Sequence, residues 1–338
     1  MDQPRIPGSG HREIDADGRL VQPGFVDIHT HYDGQATWDT QLAPSSWHGV
    51  TTVVMGNCGV GFAPVRPADH ERLIQLMEGV EDIPGTALHE GLPWAWESFE
   101  DYLDFLDTRQ RDIDLAAQVP HAAVRLNVMG ERCMTQEPAT PDDIARMADI
   151  TRRAIEAGAI GFTTSRTLNH KTSLGEATPT LKASHDELIG IAEAVGATGT
   201  GVLQVVSDFL DFDTEFDLAK QMGIRSGRPV SISIAQSKAQ PDRWRQILDA
   251  MAQANTEGVP MLGQVCVRPI GVLMGHEGTL SPFMGCPTYE RLRPLPLDER
   301  IIELRRVETK AAILAERDQV GRSNHLGSRH RERWHMMY

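Results

Sequence analysis

Cysteine is scarce in this chain: four among 338 residues (Cys58, Cys133, Cys266 and Cys286), widely separated and without a CxxC pair. That spacing excludes a disulfide framework and a zinc ribbon, and it points to a reducing cytoplasm. Basic charge is also in deficit, with 33 Lys and Arg against 47 Asp and Glu and a formal net charge of −14. Such a surface repels polyanions, which argues against nucleic acid or an anionic membrane as a general partner. No apolar run approaches the roughly 20 residues needed to span a bilayer. The first twelve residues, Met1 to Arg12, are polar and contain Pro4 and Pro7, unlike a signal peptide.

What is present is an ordinary globular composition, 40% hydrophobic and 24% charged, in a chain long enough for one large α/β domain. Strand-like runs occur at Gly24–Thr30, Val50–Met55, Ala122–Val128, Ala159–Thr163, Gly201–Val206, Val230–Ala235 and Met261–Val267. Helix-like runs alternate with them at Ala68–Gly79, Ser98–Thr108, Pro141–Ala157, Ser184–Val195, Thr214–Met222 and Pro241–Ala254, and a last helix is expected from Leu297 to about Arg317. Ser98 and Thr140-Pro141-Asp142-Asp143 carry good helix-start chemistry. This alternation predicts a parallel sheet covered by helices. We read it as an incomplete (β/α)8 TIM-type barrel whose eighth strand is missing. An open doubly wound sheet is the competing architecture, but no glycine-rich phosphate fingerprint follows strand one.

Two segments carry chemistry. Gly24-Phe-Val-Asp-Ile-His-Thr-His31 ends an apolar strand in two histidines two residues apart. Alternation along a strand puts His29 and His31 on one side, able to grip a single cation. The plainer reading of the pair is a solvated strand end, but barrel active sites sit at strand C-termini. The second segment is Gly49-Val-Thr-Thr-Val-Val-Met-Gly-Asn-Cys-Gly59, a strand followed by a glycine-rich turn that bears Cys58. A thiol beside a divalent cation ionises readily and becomes a ligand.

These two segments resemble the amidohydrolase superfamily, and within it the D-aminoacylase (N-acyl-D-amino-acid deacylase) group. The likeness extends more weakly from about Arg12 to Asp318, through Gly158-Ala-Ile-Gly-Phe-Thr-Thr-Ser165 and Gly227-Arg-Pro-Val-Ser231. It implies a zinc-dependent barrel hydrolase, with one or two ions and a small β-sandwich. The implied reaction is cleavage of a non-peptide amide C–N bond in a small N-acyl amino acid by metal-activated water. Carried over by position, it makes His29, His31 and Cys58 metal ligands. The family's two further histidines fall near Ser207 and Ile234, in segments without histidine, and its strand-eight aspartate has no counterpart. The alternative is a catalytically inactive barrel fragment that lacks the strand-eight aspartate and two of the metal histidines. A cyclic-amide hydrolase would ordinarily show a bridging lysine at strand four, and Ile160–Ser165 contains none.

Asp208 is the candidate proton acceptor or extra ligand in this reading, set against a solvated acid in the run Asp208, Asp211, Asp213, Glu215. Arg166 and His170 follow strand four and are candidate substrate-binding residues; a two-pronged arginine suits a substrate carboxylate, and a structural ion pair is the plainer alternative. Asp27 is a candidate for orienting a ligand, and Trp94 and Trp96 for packing their loop or walling a pocket. Residues 1–22 are expected to be a remnant of the small sandwich, with a short strand at Arg12–Asp15 closed by Asp17-Gly18. Residues 23–318 form the barrel in this reading. Residues 319–338, basic and His-rich, read as a divergent, disordered tail, consistent with truncation or a shifted frame. Whether the chain forms a homo-oligomer is left open.

Overall fold

The structure is a computed structural model that describes residues 14–236, 240–267, 274–278 and 281–316. Its strands are β1 (Phe25–Asp27), β2 (Val50–Met55), β3 (Asp114–Ala117), β4 (Val119–Pro120), β5 (Gly161–Arg166), β6 (Val202–Ser207), β7 (Val230–Ser233) and β8 (Met261–Gln264). Every pairing is parallel, in the orders β1-β2-β3 and β4-β5-β6-β7-β8. Only Gln118 separates β3 from β4, and its N–H donates to Met55 O at 3.0 Å. Residues 114–120 therefore act as one interrupted strand, which joins the two ladders into a continuous surface. β1 and β8 are its edges.

Helices connect the strands: α1 (His70–Glu81), α2 (Gly85–Gly91), α3 (Phe99–Asp107), α4 (His121–Met129), α5 (Glu131–Met134), α6 (Pro141–Glu156), α7 (His185–Ala197), α8 (Phe212–Ser226) and α9 (Arg243–Thr256). Three more, α10 (Pro287–Leu292), α11 (Leu297–Leu304) and α12 (Val307–Ala315), follow β8. α3 and α6 start with the capping boxes that Ser98 and Thr140 announce, closed by Asp101 and Asp143. Central strands bury both faces, as helix-covered parallel strands must. Val53, Met55, Phe162, Leu203, Val230 and Ile232 are all inaccessible to solvent. The architecture is a partial TIM-type fold. No helix among the described residues is long and apolar enough to cross a membrane.

Three expectations need correction. Ala122–Val128 is not strand three but the body of α4, and the strand lies just before it, at residues 114–120. The run from Leu297 is two helices, because Arg306 is extended (φ −68°, ψ 137°) and caps a new start. Ile14 and Asp15 carry no strand, although Asp17-Gly18 does form the expected turn. Arg12, Glu13 and the tail 319–338 lie outside the described residues.

A charged layer lies beneath the helices. Glu187 Oε1 on α7 accepts from Arg125 Nε at 2.7 Å and lies 3.0 Å from His121 Nε2, all three side chains being inaccessible. His121 Nδ1 continues to Thr164 Oγ1 on β5 at 2.8 Å. Burial would raise the Glu187 pKa, but His121 and Arg125 hold it below the usual range.

Candidate metal centre

The site begins where β1 runs out. Thr30 keeps the chain beside β2 through two bonds to Val54 O, from its N–H at 3.0 Å and its hydroxyl at 2.7 Å. Asp27 Oδ1 accepts from His29 N at 3.2 Å, stiffening the turn-out of the chain. Beyond β1 the chain brings both imidazoles together, with ring centroids 5.5 Å apart and edge-to-face.

Cys58 arrives from the neighbouring strand on a single 3-10 turn, Asn57–Gly59. Its own φ is +56°, and Gly56 before it sits at +78°. A Cβ on Gly56 would meet Gln118 O at 2.1 Å, so both the left-handed backbone and the close approach require glycine. Asn57 is inaccessible and bonds to Thr30 O at 3.2 Å and Val54 O at 2.9 Å, while its Oδ1 accepts from Gln118 Nε2 at 3.0 Å. The following amides are also held: Cys58 N donates to Gln204 Oε1 at 3.2 Å, and Gly59 N to Thr163 Oγ1 at 3.0 Å. Thr163 Oγ1 in turn donates to Gly56 O. The turn is thus strained locally and fixed from three sides.

These constraints bring the thiol to the histidines. Cys58 Sγ is 3.1 Å from His29 Nε2, and one donor atom from each of His29, His31 and Cys58 lies within 4.8 Å of the others. Among the described residues this is the one group of metal-ligand type. His31 Nε2 lies 3.1 Å from Glu81 Oε1 at the end of α1, whereas its Nδ1 is buried without a hydrogen-bond partner among the described residues. Asp33 Oδ2 is buried and unpartnered in the same way.

Burial dominates the electrostatics of the cluster. Burial pushes Asp33 and Glu81 up to about 7, each from the ordinary carboxylate range. Burial, then the negative charge of Glu81 and Asp33, drives the Cys58 thiol far upward. Burial and the neighbouring His29 hold His31 neutral. Two imidazoles and a thiol that a cation would ionise form a donor set suited to zinc, and the buried, unpartnered His31 Nδ1 fits such an ion.

The other candidate residues lie on a separate network across β5 and β6. Arg166 is held by Glu215 through Nε–Oε2 (2.7 Å) and Nη2–Oε1 (2.8 Å), and its Nη1 donates to Ala183 O at 2.7 Å. Asp208 Oδ1 accepts from Thr167 Oγ1 at 2.6 Å and Oδ2 from Leu168 N at 2.8 Å, which fastens that loop. His170 Nδ1 is 2.8 Å from Ser165 Oγ. Burial lowers the His170 pKa to about 4, opposed by Asp208 and reinforced by His29. Ser207 Oγ donates to Glu215 Oε2 at 3.1 Å, and Ile234 is buried. Trp96 is packed, with Nε1 donating to Phe62 O at 2.8 Å, and Trp94 stacks on His70 at 3.8 Å. Sequence reasoning missed Asp33, Asn57, Glu81, Gln204 and Gln264. Asp33 alone carried a signal, being two residues beyond His31.

Comparison with known proteins settles the lineage. A profile of the Amidohydrolase family matches residues 12–335. The chain belongs to the amidohydrolase family. It is 32% identical over 326 residues to the D-aminoacylase of Alcaligenes xylosoxydans xylosoxydans, covering 93% of this chain and 61% of that one. The N-acyl-D-glutamate deacylase of the same organism is 32% identical over 189 residues, 56% of this chain and 34% of its own. A solved D-aminoacylase superposes with a TM-score of 0.56 at 26% identity, over 72% of this amidohydrolase and 47% of that chain. The zinc- and phosphonate-bound N-acyl-D-glutamate deacylase of Bordetella bronchiseptica gives a TM-score of 0.54 at 25% identity, over 73% and 48%. The chain thus spans about 61% of the length of the D-aminoacylase relative. Another D-aminoacylase structure is described as having a binuclear metal center, with one-metal activation and second-metal attenuation.

Proposed function

We propose that this amidohydrolase holds one zinc ion on His29, His31 and Cys58 and hydrolyses the linear amide of a small N-acyl amino acid. The observation that carries the reading is the meeting of the three donor atoms within 4.8 Å at the ends of adjacent strands. The family and the deacylase names of its relatives supply the substrate class. When bound, the ion would supply a Lewis acid that polarises the amide carbonyl and acidifies water. His29, His31 and Cys58 would each supply one donor atom to hold it.

Two groups of the chain stand ready to hold or move a proton beside that cluster. Glu81 Oε1 lies 3.1 Å from His31 Nε2. The His170 ring is kept neutral by burial, and its Nδ1 is hydrogen-bonded with Ser165 Oγ at 2.8 Å. Asp208, which fastens the 167–169 loop, serves in this reading to position His170. The few, widely spaced cysteines suit a reducing cytoplasm.

A second reading, metal binding without turnover, is favoured by Ser207 and Ile234 at the strand ends and by the pairing of Arg166 with Glu215. Elemental analysis of the purified full chain, followed by assay of amino-acid release from N-acetyl-D- and N-acetyl-L-amino acids, separates the two. Zinc near one per chain with release of free amino acid supports the hydrolase. Zinc without release supports the second reading, and absence of zinc uptake overturns both.

A further inference from the structure

A polar chain crosses three successive strands and ties the two neighbouring donors together. It starts at the backbone of Cys58, whose N–H can only donate, and which bonds to Gln204 Oε1 on β6 at 3.2 Å. With its oxygen so engaged, Gln204 turns its Nε2 to Ser233 Oγ on β7 at 3.0 Å. Ser233 Oγ then has its hydrogen directed at Gln264 Oε1 on β8, 3.5 Å away. The same Gln264 Oε1 lies 3.0 Å from His29 Nδ1. Gln204 is inaccessible to solvent, and Ser233 and Gln264 are half-buried.

The polarity of the chain passes from one link to the next. An oxygen at the end of it can only accept, so Nδ1 of His29 must carry the ring proton. The lone pair then sits on Nε2, the atom 3.1 Å from Cys58 Sγ. We infer that Gln264 is a positioning residue: it fixes the tautomer and orientation of His29 so that Nε2 faces the thiol before any ion arrives. Because it follows directly from Cys58 N–H through Gln204 and Ser233, one network sets both donors. The contact also spans the gap between the edge strands β8 and β1, which share no ladder among the described residues.

This inference refines the metal reading and rests on it for its consequence, though the tautomer itself is a property of the metal-free protein. The test uses the full chain with ¹⁵N-labelled histidine. In the metal-free parent, the His29 ring nitrogens are expected to report a proton on Nδ1 and a bare Nε2. Gln264→Leu and Ser233→Ala are expected to give a mixture of tautomers. Calorimetric titration with zinc should show Gln264→Leu weakened about 10–100-fold, the usual scale for a lost outer partner of a ligating histidine. Gln264→Glu, which keeps an accepting oxygen, should bind at least as tightly as the parent. A parent carrying its proton on Nε2, or a Gln264→Leu protein with the parental tautomer and affinity, would overturn the inference. A parent that takes up no zinc sinks the metal reading instead, and the ring shifts still decide the role of Gln264.

Discussion

Two polar clusters sit at strand ends of the same sheet, and they differ in how their charges are satisfied. Around Arg166, each charged oxygen and guanidinium nitrogen that matters has a partner: Glu215, Ala183 O, Thr167 and Leu168 N. Around Cys58, the backbone is fastened with equal care but the side chains are left with their donor atoms turned on one another. Buried polar groups are normally hydrogen-bonded, and an unpaired one costs about 1–3 kcal/mol. The first cluster ties loops to the sheet, and the second keeps buried polar atoms of His31 and Asp33 without partners among the described residues.

Substitutions should therefore sort by cluster. His31→Ala and Cys58→Ala are expected to abolish stoichiometric zinc uptake, measured by elemental analysis, with little change in the thermal midpoint. If either variant kept one zinc per chain, the contrast would disappear. The opposite signature belongs to the buried layer. Glu187→Ala leaves Arg125 without its partner in the interior and should destabilise the fold by about 3–5 kcal/mol in denaturant titration. Glu215→Ala, with a partly exposed pair, should cost roughly 1.5–3 kcal/mol while folded protein still binds zinc.

The smallest effect sharpens the same point at a helix end. Burial would raise the Asp143 pKa, but bonds to Arg132 and Thr140 bring it down to about 2. A carboxylate with a depressed value stabilises the fold fully above its unfolded value and loses that contribution as pH falls toward 2. Asp143→Asn should cost about 1 kcal/mol near neutrality. The gap between variant and parent should close between pH 4 and pH 2.

How far this was legible in the sequence follows from range. Alternating runs located six of the seven strand positions, and capping chemistry located α3 and α6, because those signals are local. Ala122–Val128 misled because a short apolar run reads alike as buried helix or buried strand. The true strand was disguised by Asp114 and by Gln118, a buried polar side chain that serves Asn57. The meeting of His29, His31 and Cys58 was visible, since two of them follow one strand and the third follows the next. Its supports were not. Gln264 reaches His29 across 235 positions and Gln204 reaches Cys58 across 146, and one sequence holds no trace of such contacts. Asp208 and Arg166 looked reactive because charge near a strand end suggests chemistry, whereas their partners Leu168 N and Glu215 appear only once the loop is folded.

X-ray absorption on the zinc-loaded full chain addresses the heart of this account. One sulfur near 2.3 Å together with two imidazole nitrogens near 2.0 Å, the usual zinc distances, is the expected coordination, and Cys58→Ala should remove the sulfur. A bound zinc surrounded only by oxygen and nitrogen in the parent protein would contradict it.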